Sequence, residues 1–125
     1  MKKCIQSFVL IIALCLNVTI AGEAKNEKVD NLIKKSIIAI HDKDYKEALS
    51  FIIEAKNISQ SKSNQYRISK DDNEILAEIF QMEGQLLEML GKRKEAISAW
   101  TNCLDSAKTD ALKKEAKVHL KHLKD

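Results

Sequence analysis

The chain has 125 residues, 21 Lys+Arg against 18 Asp+Glu, and a formal net charge of +3. With 45% apolar residues it is too hydrophobic for an intrinsically disordered chain, and its length excludes several large domains. It contains no Pro and only 3 Gly, which removes the turn chemistry of an all-β sandwich or barrel and favours helices.

The N-terminus starts with a basic head, Met1-Lys2-Lys3, followed by an apolar run from Phe8 to Leu16 and the small or polar residues Asn17 to Gly22. This three-part layout predicts a secretory signal over 1–21, cut after Ala21. The alternative is an uncleaved anchor, but a span needs roughly 20 apolar residues and Asn17 interrupts this run at about half that length. A lipid-anchor signal is disfavoured, because Leu14 rather than a small residue precedes Cys15. Removing the signal takes away Lys2 and Lys3, leaving 19 basic and 18 acidic residues, net +1. The exported part then has no overall charge bias toward nucleic acid or anionic lipid. Cys103 would be its only thiol, so no internal disulfide can form.

Residues 22–27 read as a lead-in. Val29, Leu32, Ile33, Ser36, Ile37 and Ile40 form the stripe of an amphipathic helix over 28–41. A second stripe, Tyr45, Ala48, Leu49, Ile52 and Ala55, predicts a helix over 44–58, capped by Asp44 with Glu47 completing a capping box. Residues 59–70 (SQSKSNQYRISK) are polar and carry no stripe, which predicts a loop. Asp71, Asp72 and Glu74 suit a helix N-terminus, and Leu76, Ile79, Phe80, Gly84, Leu87 and Leu90 carry a third helix over 72–90. A second apolar edge (Ile75, Met82, Leu86, Met89) predicts that this helix is covered on two sides. Gly91 opens a turn, and Ala96, Ile97, Trp100, Cys103 and Leu104 mark a fourth helix over 93–106. Thr109 or Asp110 caps a fifth over 109–124, with Leu112, Ala116, Leu120 and Leu123 inward. Short turns between them predict antiparallel helix pairs in an all-α fold.

Residues 44–52 align with residues 92–100, sharing Lys-Glu-Ala-(Leu/Ile)-Ser at an offset of 48. Each has a large residue four after the Ala (Ile52, Trp100) and a small one seven after it (Ala55, Cys103). With Gly84, Gly91 and Tyr45, this pattern resembles the tetratricopeptide repeat, in which small residues let paired helices approach and a large one fills the gap. The resemblance implies a two-repeat α-solenoid over 28–125 with the fifth helix as a cap, and packing roles for Tyr45, Ala48, Ile52, Ala55, Gly84, Gly91, Ala96, Trp100 and Cys103. Three features depart from the family: its period is about 34 residues, Lys35-Ser36 stands where Leu-Gly is usual, and no Pro ends either unit.

Such arrays are adaptors whose first helices line a partner-binding groove. The resemblance therefore implies a groove carrying Glu78, Gln81, Gln85, Glu88 and Met89, with Glu115, His119 and His122 from the fifth helix, suited to a polar or basic protein segment. In the first unit the facing set is either Ile33, Ile37 and Ile40, or Lys34, Ile38 and His41. The Lys and Asn set of the carboxylate-clamp subtype is missing, so a chaperone's acidic tail is not expected. The leading expectation is a small exported adaptor, periplasmic or secreted, that binds another protein and needs no cofactor. A self-associating structural subunit of an envelope or secretion assembly is the alternative, and a helical metal or redox protein the third. For the third, His119-x-x-His122 with Glu115 is the only metal-like spacing, and Cys103 reads as a buried inert thiol. The sequence shows no CxxC, phosphate loop or nucleophile elbow, so no enzyme is expected.

Overall fold

The computed structural model describes residues 27–65 and 70–125, with side chains for all of these except 62–73. The expected signal sequence and most of the expected lead-in, 1–26, lie outside the described residues. The fold is all-α: α1 (Glu27–His41), α2 (Tyr45–Gln65), α3 (Lys70–Met89), α4 (Arg93–Ser106) and α5 (Asp110–Lys124). The main packing is between chain neighbours: α1 on α2, α2 on α3, α3 on α4 and α4 on α5. A stack in which each element meets the one before and the one after is the topology of a helical repeat.

One buried cluster runs through the stack. It joins Val29, Leu32, Ile33, Ala39 and Ile40 of α1 to Ala48, Leu49, Ile52 and Ala55 of α2. It continues through Ile79, Phe80, Met82, Leu86 and Leu87 of α3 and Ala96, Ala99, Trp100 and Cys103 of α4, and ends on Ala116, Leu120 and Leu123 of α5.

Helix α2 continues seven residues into the stretch read as a loop, and α3 begins at Lys70, leaving only 66–69 outside the described residues. Neither Gly nor Pro occurs in 59–70 to stop the helix. Ser and Asn lower helix propensity by only tenths of a kcal/mol each, and the buried Ile52 and Ala55 anchor the preceding turns.

The α1–α2 and α3–α4 turns are the same object. In the first, Asp42 N–H donates to Ile38 O, Lys43 to Ile40 O, Asp44 to Ala39 O and Ala48 to Asp44 O. In the second, Leu90 donates to Leu86 O, Gly91 to Glu88 O, Lys92 to Leu87 O and Ala96 to Lys92 O. Every donor and acceptor is displaced by 48 residues. The left-handed position falls on Lys43 (φ +62°) in one turn and on Gly91 (φ +74°) in the other. Gly91 therefore serves the turn rather than the packing: a Cβ there would touch nothing within 4 Å.

The caps differ. Asp44 Oδ1 accepts from Glu47 N–H at 3.2 Å, but the Asp44 N–H is taken by Ala39 O, so only half of the expected capping box forms. Helix α4 starts at Lys92 without a side-chain cap. Thr109 caps α5, its Oγ1 accepting from Leu112 N–H at 3.3 Å.

The interlocks also sit at matching positions. Ser36 is completely buried and its hydroxyl donates to Ala48 O at 2.9 Å. Its counterpart, Gly84, lies under the Trp100 indole, where a Cβ would fall 2.7 Å from Nε1 and 2.8 Å from Cε2. Ser36 thus stands in the first hairpin where Gly84 stands in the second. Ala48 and Ala96, Ile52 and Trp100, and Ala55 and Cys103 are all fully buried pairs. Tyr45 is half-buried against the cluster.

Candidate functional site

The polar residues expected to line a groove are gathered between α3 and α5, and most are bonded to one another. Glu88 lies near the C-terminal end of α3, where the helix dipole disfavours an acid. Its position is explained by two donors: Trp100 Nε1–H and His119 Nδ1–H each reach Glu88 Oε2 at 2.8 Å. A carboxylate oxygen accepts, so Nδ1 is the protonated nitrogen of this contact. The His119 ring stacks on Trp100 with centroids 4.1 Å apart and planes 13° from parallel. One carboxylate thereby fixes an indole from α4 and an imidazole from α5, and the two rings cover each other.

A second carboxylate continues the seam. Glu115 Oε2 accepts from Gln81 Nε2 at 2.8 Å, and Oε1 accepts from Gln85 Nε2 at 3.4 Å. His119 Nε2 stands 4.0 Å from Glu115 Oε1. Beneath this layer Cys103 is completely buried. Burial, with the nearby Glu115 charge as a smaller cause, pushes its thiol pKa up to about 12. It is a protonated, inert sulfur at neutral pH. Elsewhere, burial raises the Asp30 carboxyl above its ordinary value, with Lys34 opposing. Lys56 of α2 bonds Glu83 of α3 at 2.6 Å, in a pair whose carboxylate is almost fully covered.

The seam changes what the expected groove residues do. Gln81 is buried, and Gln85, Glu88, Glu115 and His119 are half-buried and joined in one network that docks α5. Glu78 is half-buried, whereas Met89 is 51% exposed. His122 is exposed and lines a shallow open cleft with Glu88, Gly91, Arg93, Leu123 and Asp125. Arg93 Nε, on the wall of that cleft, donates to Leu123 O and ties the start of α4 to the end of α5. Among the described residues no three His, Cys, Asp or Glu side chains are placed to hold a metal. In the first unit Ile33 and Ile40 belong to the core and Ile37 is half-buried, while Lys34, Ile38 and His41 are the exposed set.

Three features of the site are missing from the sequence reading: the Ser36 hydroxyl bond, the Lys56–Glu83 pair and the inward role of Glu88. The offset of 48 offers a signal for the first, since it sets Ser36 opposite Gly84. Neither a family model, nor a curated protein, nor a solved structure matches the chain.

Proposed function

We propose that this chain is an exported helical-repeat adaptor of the tetratricopeptide kind, acting by contact with another protein. One observation carries the reading: the two hairpins repeat their turn hydrogen bonds and interlocking positions at a single offset of 48 residues. A stack of like hairpins presents rigid, half-open helix faces, and that is what adaptors use. The side chains with most chemical potential already have structural work. His119 is stacked and bonded, and Cys103 is covered and protonated. Catalysis therefore has no place in the reading. Export rests on the basic, apolar and small-residue order of residues 1–21. No described helix is long and apolar enough to cross a membrane.

Self-association would bring the outer faces of the stack together. The outward side of α1 carries exposed Lys34 and Lys35 beside Glu27, Asn31 and Ile38, and that of α5 carries exposed Lys114, Lys117 and Lys121 beside Asp110 and Val118, so lysine outnumbers acid on both. Two basic faces repel, which favours a different protein as partner over a second copy. Crosslinking of the chain in its native envelope, with light scattering of the purified protein, tests the proposal. A monomer in isolation that crosslinks to one other protein is the expected result. A stable homodimer with no foreign crosslink would replace the adaptor with a structural subunit.

A further inference from the structure

The outer face of α5 is a lysine stripe. Lys114, Lys117, Lys121 and Lys124 follow one another at three- and four-residue spacing, all exposed, around Val118, which is 60% exposed. From Lys114 to Lys124, eleven residues, this is a rod-shaped face about 15 Å long. Among the described residues, none of these lysines makes an ion pair. Acids flank the stripe at its two ends, Asp110 one turn before Lys114 and Asp125 after Lys124, while the third acid, Glu115, is turned away into the seam with Gln81 and Gln85.

The arrangement is not what an isolated helix prefers. Like charges one turn apart repel. The dipole rewards cations in the last turn, which accounts for Lys121 and Lys124, and Asp110 at i−4 offsets Lys114, but neither accounts for Lys117 in mid-helix. Helix α5 also has an unshared side. Each of α2, α3 and α4 packs mainly on a helix before and a helix after it, whereas α5, like α1, packs mainly on one helix, and it meets α3 through the seam.

We infer that this stripe is the docking face for an acidic helix of the partner protein, which continues the stack beyond α5 and whose carboxylates lie against Lys114, Lys117, Lys121 and Lys124 around an apolar contact at Val118. The inference rests on the adaptor reading and names its partner's chemistry. Charge complementarity selects an acidic occupant. The linear spacing selects a helix rather than a lipid surface, because Leu112, Ala116, Leu120 and Leu123 point into the protein and only Val118 is left to enter a bilayer.

The test uses two labelled synthetic peptides of equal composition, one with its Glu residues in a single helical stripe beside a Leu, the other with them scattered around the helix. Fluorescence anisotropy is expected to show the striped peptide binding the chain at least about tenfold tighter than the scattered one, with the gap closing at high salt. Lys114→Gln with Lys117→Gln and Lys121→Gln should abolish the gap with unchanged circular dichroism, whereas Lys28→Gln with Lys43→Gln and Lys46→Gln should leave it intact. Equal binding of both peptides, an unaffected triple variant at the stripe, or tighter binding to phosphatidylglycerol vesicles than to the striped peptide would overturn the inference. A photocrosslinker in the native envelope separates it from its premise. Capture through Val118, lost in the stripe variant, supports both. Capture through Met89 but not Val118 overturns the stripe and keeps the adaptor, and capture through neither removes both.

Discussion

Hairpins α1–α2 and α3–α4 share one backbone frame and fill it with different chemistry. In the first, the gap between helices holds the Ser36 hydroxyl and the aliphatic Ile52. In the second it holds no side chain at Gly84 and a complete indole at Trp100. The larger ring brings a buried N–H that must be satisfied, and Glu88 satisfies it. That carboxylate also accepts from His119, so the choice of Trp in one hairpin adds one more tie to the next helix. The first hairpin has Ile40 at the place of Glu88, and that position joins the shared apolar core. A repeat can thus hold its turn geometry fixed while one substitution at the interlock decides whether the large residue also starts a polar tie to the next helix.

The comparison can be broken most sharply at the large residues. Trp100→Ala removes a filled volume and leaves Glu88 and His119 without their partner ring, so it should cost about 4 kcal/mol, against about 3 for Ile52→Ala. Urea titration followed by circular dichroism measures both. Only the Trp100 variant should also loosen α5, seen as faster amide exchange over 110–124. At the small positions, Gly84→Ala forces the indole to move and should cost about 2 kcal/mol. Ser36→Ala loses one hydrogen bond and should cost about 1 kcal/mol.

A third effect depends on pH. The Cys103 thiol ionises near 9 when unfolded and only near 12 when folded, so the unfolded chain releases its proton first. Its contribution is whole below about pH 9 and declines as pH rises toward 12. By about pH 10 the wild type should lose roughly 1 kcal/mol more than Cys103→Ala does over the same interval. Iodoacetamide should label the native thiol only as fast as the chain opens. The turns give the smallest and most symmetrical effect. Lys43→Gly relieves a left-handed residue and should stabilise by about 0.5 kcal/mol, whereas Gly91→Ala imposes one and should destabilise by about 1 kcal/mol. Equal signs would mean that the two turns are not alike.

What the sequence made legible was periodic. The apolar stripes placed α4 at Arg93–Ser106, and the shared Lys-Glu-Ala motif pointed to the equivalence of Ala48 and Ala96. The extent of α2 was hidden, because a polar stretch without Gly or Pro carries no stop signal and stays helical when its first turns are anchored. The seam was hidden for another reason. Gln81, Gln85 and Glu88 stand about thirty residues from Glu115 and His119, and a polar residue that faces a partner in space looks the same in sequence as one that faces water. The position of Glu88 against the helix dipole was the available hint.

The equivalence of the hairpins is tested most directly by moving part of the second interlock into the first. Stability is measured for Ser36→Gly, Ile52→Phe and the double variant in a thermodynamic cycle. If Ser36 and Ile52 occupy the places of Gly84 and Trp100, the larger ring overpacks when introduced alone and is relieved when the hydroxymethyl group is removed, giving a favourable coupling of at least about 1 kcal/mol. Strict additivity of the two changes would contradict a repeated hairpin and the adaptor reading built on it.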